Sequence, residues 1–171
     1  MRIRATVEIE PRGKRPPQNM RLKDGRMLHG VKDAATRSYE TRLAVALLGK
    51  LDGLMLLEGP LQLDILAIFK RPKKINKAVK AWCDEKGLPH GPNSRVWCPR
   101  KPDIDNIRKS VQDAMKTVWR DDAQVVAGLT LKAYGREGER PSITIALSDE
   151  IQELSHQLQT MGLPEPRQPI R

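Results

Sequence analysis

The amino-acid sequence predicts an α+β domain whose helices pack on one face of a mixed β-sheet. Four segments alternate apolar and polar residues, which is the period of a strand with one buried face. Three other segments repeat their apolar residues at helical spacing. The order along the chain is strand, helix, strand, basic excursion, helix, strand, strand, helix, and this mixture is typical of α+β folds.

In the first half of the chain, the alternating segment RIRATVEIE (2–10) predicts a half-buried strand. Residues 10–28 are rich in proline, glycine and basic residues, and Asp24-Gly25 predicts a tight turn, so this stretch is a loop or a short hairpin. Apolar residues then recur at helical spacing and predict a helix over 32–50. The segment LQLDILAIF (61–69) is the most apolar strand and is predicted to be central.

In the second half, a basic excursion over 70–101 contains the segment NKAVKAW, which predicts a short helix. An amphipathic helix follows, with an apolar stripe over 104–118, and two strands are predicted over 125–133 and 143–147. The predicted organisation is one domain over 1–150, with the basic insertion at 70–101. A capping-box pattern at Asp149 and Gln152 then predicts a C-terminal helix, which ends in a flexible tail (151–171).

The charge of the chain favours a polyanionic partner. Its 171 residues carry a formal net charge of +10, and the pI is about 9.9. No apolar run approaches the roughly 18 residues of a membrane span, and the N-terminus lacks the apolar region of a signal peptide. With Cys83 and Cys98 as the only cysteines, the sequence indicates a soluble protein of a reducing, intracellular compartment.

Positive charge is densest in the excursion, which holds ten lysines or arginines against Asp84 and Glu85. We expect phosphate contacts from this group and from a second basic group near the N-terminus. The predicted DNA-binding residues are Lys70, Arg71, Lys73, Lys74, Lys77, Lys80, Lys101, Arg12, Lys14 and Arg15. Trp82 and Trp97 can stack on unpaired bases or anchor the excursion.

Two aspartates stand two residues apart in KPDIDNIRKS (101–110), where the amphipathic helix begins. Side chains at i and i+2 of a helix diverge, so both can reach one ligand only if Asp103 lies outside the helix. Pro102 favours that arrangement because it disfavours helical backbone at Lys101. Carboxylates near a helix N-terminus stay ionised and suit a hard divalent cation such as Mg²⁺.

Asp121 and Asp122 follow this helix in the segment WRDDAQ, and a short return can bring one of them to the same point. Lys109 lies one turn after Asp105 and can contact a phosphate or an attacking water. A structural interpretation also fits. Asp103 can act as an N-cap, Asp105 and Lys109 can pair on the surface, and Asp121-Asp122 can be turn residues.

The stretch KPDIDNIRKSVQDAM, followed by VWRDDAQV, resembles the signature of the RusA family of Holliday-junction resolvases, which phages and prophages commonly carry. The resemblance implies a homodimeric, Mg²⁺-dependent endonuclease, with Mn²⁺ as a substitute metal, that nicks two opposed strands of a four-way DNA junction. It implies metal-binding roles for Asp103, Asp105 and Asp122, a helper role for Asp121 and an essential lysine at Lys109. It also implies a cytoplasmic location in a bacterial cell.

The sequence departs from this family pattern in two places. Residues 115–117 read Met-Lys-Thr where a glycine is usual, and the basic excursion is long. The leading hypothesis is a junction-resolving nuclease of DNA recombination and repair, with no membrane partner. Two alternatives stay open: a non-catalytic basic DNA-binding protein, and a Mg²⁺-dependent nuclease for flaps or replication forks. A zinc site at Cys83, His90 and Cys98 is disfavoured because the spacing is wrong and a fourth ligand is missing.

Overall fold

The computed structural model describes residues 2–14, 18–31, 34–49 and 57–149. Their main element is a mixed sheet of six strands. The six strands are β1 (Arg2–Val7), β4 (Leu61–Phe69), β5 (Val96–Trp97), β6 (Val125–Ala127), β7 (Thr130–Tyr134) and β8 (Ser142–Ser148). The strand order is β1-β8-β4-β7-β5, with β6 beside the start of β4. The predicted α+β class is confirmed.

The central position predicted for β4 is also confirmed. β8 pairs with it antiparallel on one side, β7 pairs with it parallel on the other, and all nine of its residues are buried. A strand covered on both faces reads as a nearly continuous apolar run, which explains the composition of LQLDILAIF.

Two helices cover one face of the sheet, as the sequence predicts. Helix α1 (Ala34–Leu48) and helix α3 (Ile104–Ala114) both join the principal core, which also contains Leu63 and Ile65 of β4. The apolar stripe of α3 accounts for this docking because Ile107 and Val111, one turn apart, are fully buried. The helix ends at Ala114, so the last part of the predicted stripe lies in the turn that follows it.

The single strand predicted over 125–133 is wrong, because the structure divides it into β6 and β7 at Gly128. That glycine has a φ of +132°, and a Cβ there would lie 2.5 Å from the carbonyl carbon of Leu63. The chain passes so close to β4 that only glycine fits. The change of direction lets β6 pair with the first residues of β4 and β7 with the rest.

The predicted short hairpin near the N-terminus is present as β2 (Gln18–Arg21) and β3 (Met27–Val31), which pair antiparallel around Asp24-Gly25. Asp24 accepts hydrogen bonds from the backbone and the side chain of Arg26 within this turn. The predicted C-terminal helix and tail lie outside the described residues. Among the described residues, no helix is long and apolar enough to cross a bilayer.

The basic excursion has its own order. It contains helix α2 (Lys77–Glu85), capped by the Asn76 side chain, and the short strand β5, which pairs with β7. The Arg71 guanidinium donates hydrogen bonds of 2.8–3.1 Å to four carbonyl oxygens, those of His90, Gly91, Ser94 and Gly135. Arg71 therefore ties the excursion to the end of β7.

Candidate active site

The start of α3 places Asp103 as the sequence predicts, outside the helical turns. Asp103 is the N-cap residue with extended backbone (φ −71°, ψ 155°), and its side chain accepts no capping hydrogen bond. In most N-cap aspartates, one carboxylate oxygen accepts a hydrogen bond from a backbone N–H of the first turn. The exposed Asp103 carboxylate is not used in that way, so capping alone does not explain it.

Asp105 occupies the first turn of α3 and is exposed. Its carboxylate accepts a hydrogen bond of 3.2 Å from Lys109 Nζ, one turn later. This hydrogen bond is the main cause that lowers the pKa of Asp105 below its ordinary value. The pair therefore keeps Asp105 ionised and holds the ammonium of Lys109 beside it.

Asp121 and Asp122 lie in the turn beyond α3. Asp121 caps the 3-10 turn Asp122–Gln124 by accepting from the Ala123 N–H at 2.9 Å. Asp122 accepts a hydrogen bond of 3.0 Å from the indole Nε1–H of the buried Trp119. Asp121 thus has the turn role of the structural interpretation. The hydrogen bond from the Trp119 indole holds one carboxylate oxygen of Asp122 in place.

Contacts of α3 place these two acidic pairs toward opposite ends of β4. Before the helix, the Pro102 carbonyl accepts from Lys132 Nζ at 2.9 Å, and Lys132 is level with Ala67 late in β4. After the helix, the backbone of Trp119 forms an isolated parallel β-bridge with Leu57, which precedes β4. The eleven residues of α3, about 16 Å at 1.5 Å per residue, lie between them. The return of Asp122 to the other aspartates, expected from the sequence, does not occur within one chain.

The metal ion expected from the motif can be compared with these donors. Carboxylate oxygens are the ligands that Mg²⁺ prefers, and Asp103, Asp105 and Asp122 are all exposed. Yet over the described ranges, no three histidine, cysteine, aspartate or glutamate side chains are grouped so as to hold a metal ion. The donor chemistry of one chain fits Mg²⁺, whereas the positions of the three aspartates within one chain do not.

Sequence reasoning missed Arg108, which faces the sheet while its neighbour Lys109 faces solvent. Its guanidinium reaches the carbonyl oxygens of Leu63, Ala127 and Gly128 at 3.3–3.4 Å. Burial lowers the pKa of Arg108, and the negative charge of Asp64 opposes that effect. Arg108 therefore anchors α3 to the place where β6 becomes β7. Arg108 lies beside the apolar stripe of α3, and a charged residue at the border of a buried helix face was the sequence signal for this anchoring role.

Asp64 is the buried partner in this anchor, at 5% exposure. Its two oxygens accept hydrogen bonds from the Leu129 N–H at 2.8 Å and from the Gln62 side-chain amide at 2.9 Å. A buried polar group needs hydrogen-bond partners of this kind, because burial removes its contact with water. Asp64 thus has a structural role at the same junction of strands.

The predicted basic groups divide into anchors and exposed side chains. The segment before Arg15 is strapped to α3, since the Lys14 N–H donates to the Asn106 carbonyl at 2.8 Å and Lys14 Nζ pairs with Asp113 at 2.9 Å. Arg15 lies outside the described residues, and Arg71 serves the scaffold of the excursion. The exposed members are Arg12, Lys14, Lys70, Lys73, Lys74, Lys77, Lys80 and Lys101, of which Lys14 is also paired with Asp113.

The residues considered for zinc have other surroundings. Cys83 and Cys98 are free and buried, and burial is the main cause that raises the pKa of the Cys83 thiol. The His90 ring contacts the Asp84 carboxylate at 2.7 Å. These three side chains do not form a metal-binding group in the part of the chain that is described.

Comparison with known proteins identifies a family and a relative. The family model described as "Endodeoxyribonuclease RusA" matches residues 8–147, which include both acidic pairs and the excursion. A protein from Bacillus subtilis (strain 168), described as "Uncharacterized protein YqaN", is 28% identical over 137 residues. That alignment covers 79% of this chain and 89% of the relative.

Proposed function

Because the chain belongs to the RusA family of endodeoxyribonucleases, we propose that it is a Mg²⁺-dependent nuclease that resolves four-way DNA junctions by paired, symmetric nicks. One observation supports this most strongly. The N-terminus of α3 presents two exposed carboxylates, Asp103 and Asp105, with Lys109 one turn away. Asp103 makes no capping bond there, so a purely structural role leaves its carboxylate unexplained.

DNA binding is supported by the placement of positive charge. Exposed lysines of the excursion, among them Lys73, Lys74, Lys77 and Lys80, lie before the segment that leads into α3. Arg12 lies in the segment before Arg15 that contacts α3, and the Arg12 carbonyl accepts a hydrogen bond of 2.7 Å from the Ser110 hydroxyl of that helix. Phosphates that approach α3 would meet cations from both groups.

Each group in the proposed site has a separate task. Asp103, Asp105 and Asp122 would hold Mg²⁺, with Asp121 fixing the turn that carries Asp122. A bound Mg²⁺ supplies polarisation of a phosphate oxygen and lowers the pKa of a bound water. Lys109 would leave its pairing with Asp105 and neutralise charge on the phosphate. Arg108 would keep α3 in register with the sheet as these groups rearrange.

A homodimer would bring the separated carboxylates together. A four-way junction has near two-fold symmetry, and a symmetric dimer presents two equivalent sites to matching strands. If two copies pack with α3 helices antiparallel, the Asp103 end of one copy meets the Asp122 end of the other. Each site would then combine Asp103 and Asp105 of one copy with Asp122 of its partner, which agrees with their separation within one chain.

The test is nicking of a labelled four-way junction with and without Mg²⁺. We expect metal-dependent paired nicks by the natural protein, none by Asp105→Asn, and full activity in the control Glu137→Gln, an exposed carboxylate outside the motif. Binding without nicking in any metal would indicate a non-catalytic DNA-binding protein. Faster cleavage of flaps or forks than of junctions would indicate a different substrate.

A further inference from the structure

The basic excursion contains an apolar groove that has no role in the proposed nicking of DNA junctions. It lies where α2 meets β5 and has a volume of about 410 Å³. Its lining residues are Asn76, Ala78, Val79, Trp82, Trp97 and Pro99. This volume lies within the roughly 300–1,000 Å³ of typical small-ligand pockets, so an aromatic ring fits it.

The two tryptophans of the groove differ in how they are held. Trp97 belongs to β5, pairs with Ala133, is half-buried and also lines a small cavity with Cys83, so it is the more firmly held wall of the groove. Trp82 is 40% exposed, whereas the third tryptophan of the chain, Trp119, is 1% exposed. Anchoring of the excursion therefore accounts for Trp97 and leaves much of the Trp82 ring in contact with solvent.

The surroundings of the groove favour an anionic partner. Arg100 is exposed immediately after Pro99, and Lys86, four residues after Trp82, is exposed and pairs with Glu85 at 2.8 Å. Of the described residues, no aspartate or glutamate lines the groove. An apolar aromatic cleft with an arginine beside it suits unpaired nucleotides, whose bases stack on rings while phosphates pair with basic side chains.

The groove also lies close to the candidate active site. Pro99 precedes Asp103 by four residues, so their Cα atoms are at most about 14 Å apart even in extended chain. That reach corresponds to about four nucleotides at 3.4 Å per step along a strand. A base in the groove would therefore belong to the same stretch of DNA as a phosphate at α3.

We propose that this groove stacks an unpaired DNA base, with Trp82 as the exposed platform and Trp97 as the more firmly held wall. The inference rests on the proposed function only in that DNA is the substrate. It adds a recognition site for unpaired bases a few nucleotides from the cut phosphate. A junction whose central bases are unpaired, or a single strand, would engage it, whereas a fully paired duplex would not.

Binding measured in EDTA tests the proposal without cleavage. The full chain is titrated into fluorescent oligo-dT, a junction with unpaired central bases, and a paired duplex of the same length. We expect Trp82→Ala to weaken the first two affinities about 5- to 150-fold, as loss of one stacked base predicts, and to leave the duplex affinity unchanged. Trp82→Phe should retain most of the affinity because it keeps a ring.

The control is Val126→Ala, which truncates another exposed apolar side chain, 58% exposed, in β6 and outside the groove. Equal binding of oligo-dT by Trp82→Ala and the natural protein would overturn the proposal. A change of sedimentation coefficient in Trp82→Ala with unchanged DNA affinity would also overturn it, because the groove would then contact a second copy. If Mg²⁺-dependent nicking persists in either case, only this inference fails. If the natural protein nicks no junction, the proposed function fails by itself.

Discussion

Replacing Gly128 with alanine should be the most damaging single change at the junction of β6 and β7. A non-glycine residue in such a sparsely populated backbone conformation costs about 1–3 kcal/mol. The new Cβ would also lie 2.5 Å from the carbonyl carbon of Leu63, so the backbone must move away from β4.

That movement would disturb two hydrogen bonds of Leu129. Its carbonyl accepts from the Ile65 N–H at 2.7 Å, and its N–H donates to the buried Asp64 carboxylate at 2.8 Å. Each such bond contributes about 1 kcal/mol. With the strain term, we expect Gly128→Ala to lower the free energy of unfolding by about 3–5 kcal/mol.

Urea unfolding and calorimetry measure this loss directly. For a chain of this length, about 2–4 °C of melting temperature accompany each kcal/mol, so Gly128→Ala should melt about 6–20 °C lower. Gly138→Ala is the matched control, because Gly138 also has positive φ (+76°) but nothing lies within 4 Å of its added Cβ. Equal losses in both variants would refute the close approach to β4 as the reason for glycine at 128.

Three further changes probe the site and its scaffold. Lys109→Met should raise the pKa of the Asp105 carboxyl toward its ordinary value, which ¹³C NMR titration measures. The stabilisation that the Asp105–Lys109 pair gives is present above the unfolded-state pKa of Asp105 and is lost as the pH falls through its lowered folded-state pKa. An unchanged titration of Asp105 in Lys109→Met would contradict the pairing. Trp119→Phe removes the hydrogen bond to Asp122 and should cost about 2 kcal/mol in urea unfolding; a loss below about 0.5 kcal/mol would count against it. Arg71→Lys cannot reach four carbonyl oxygens, so hydrogen exchange should accelerate in peptides over 88–95, and unchanged protection there would refute the anchoring role.

Much of the fold could be predicted because periodicity reports burial directly. The apolar run of β4 and the stripe of α3 both describe contacts that each element must make. The break at Gly128 could not be predicted, because it depends on where the β4 backbone passes. β5 was equally hidden, since two residues are too few to show a period, and its partner β7 is distant in sequence.

For the site, the sequence identified residues better than their arrangement. Asp103 lies outside the helix as Pro102 suggested, and Lys109 pairs with Asp105 as helical spacing predicts. The position of Asp122 was not predictable from the turn length alone, because that position follows from the bridge between Trp119 and Leu57. Arg71, counted by its charge among DNA-binding residues, is committed to backbone carbonyls that only the folded chain brings together.

We propose that Asp105 and Asp122 serve one metal site shared between two copies of the chain. The most direct measurement uses a heterodimer of Asp105→Asn and Asp122→Asn, co-expressed with different affinity tags and purified through both. In a shared site, one position of the heterodimer keeps every aspartate while the other loses two, so the heterodimer should nick one strand of a junction and bind Mn²⁺ at one site. Each homodimeric variant should be inactive. A heterodimer as inactive and as metal-free as its parents would contradict the shared site, and wild-type nicking by either parent would contradict the role of that aspartate.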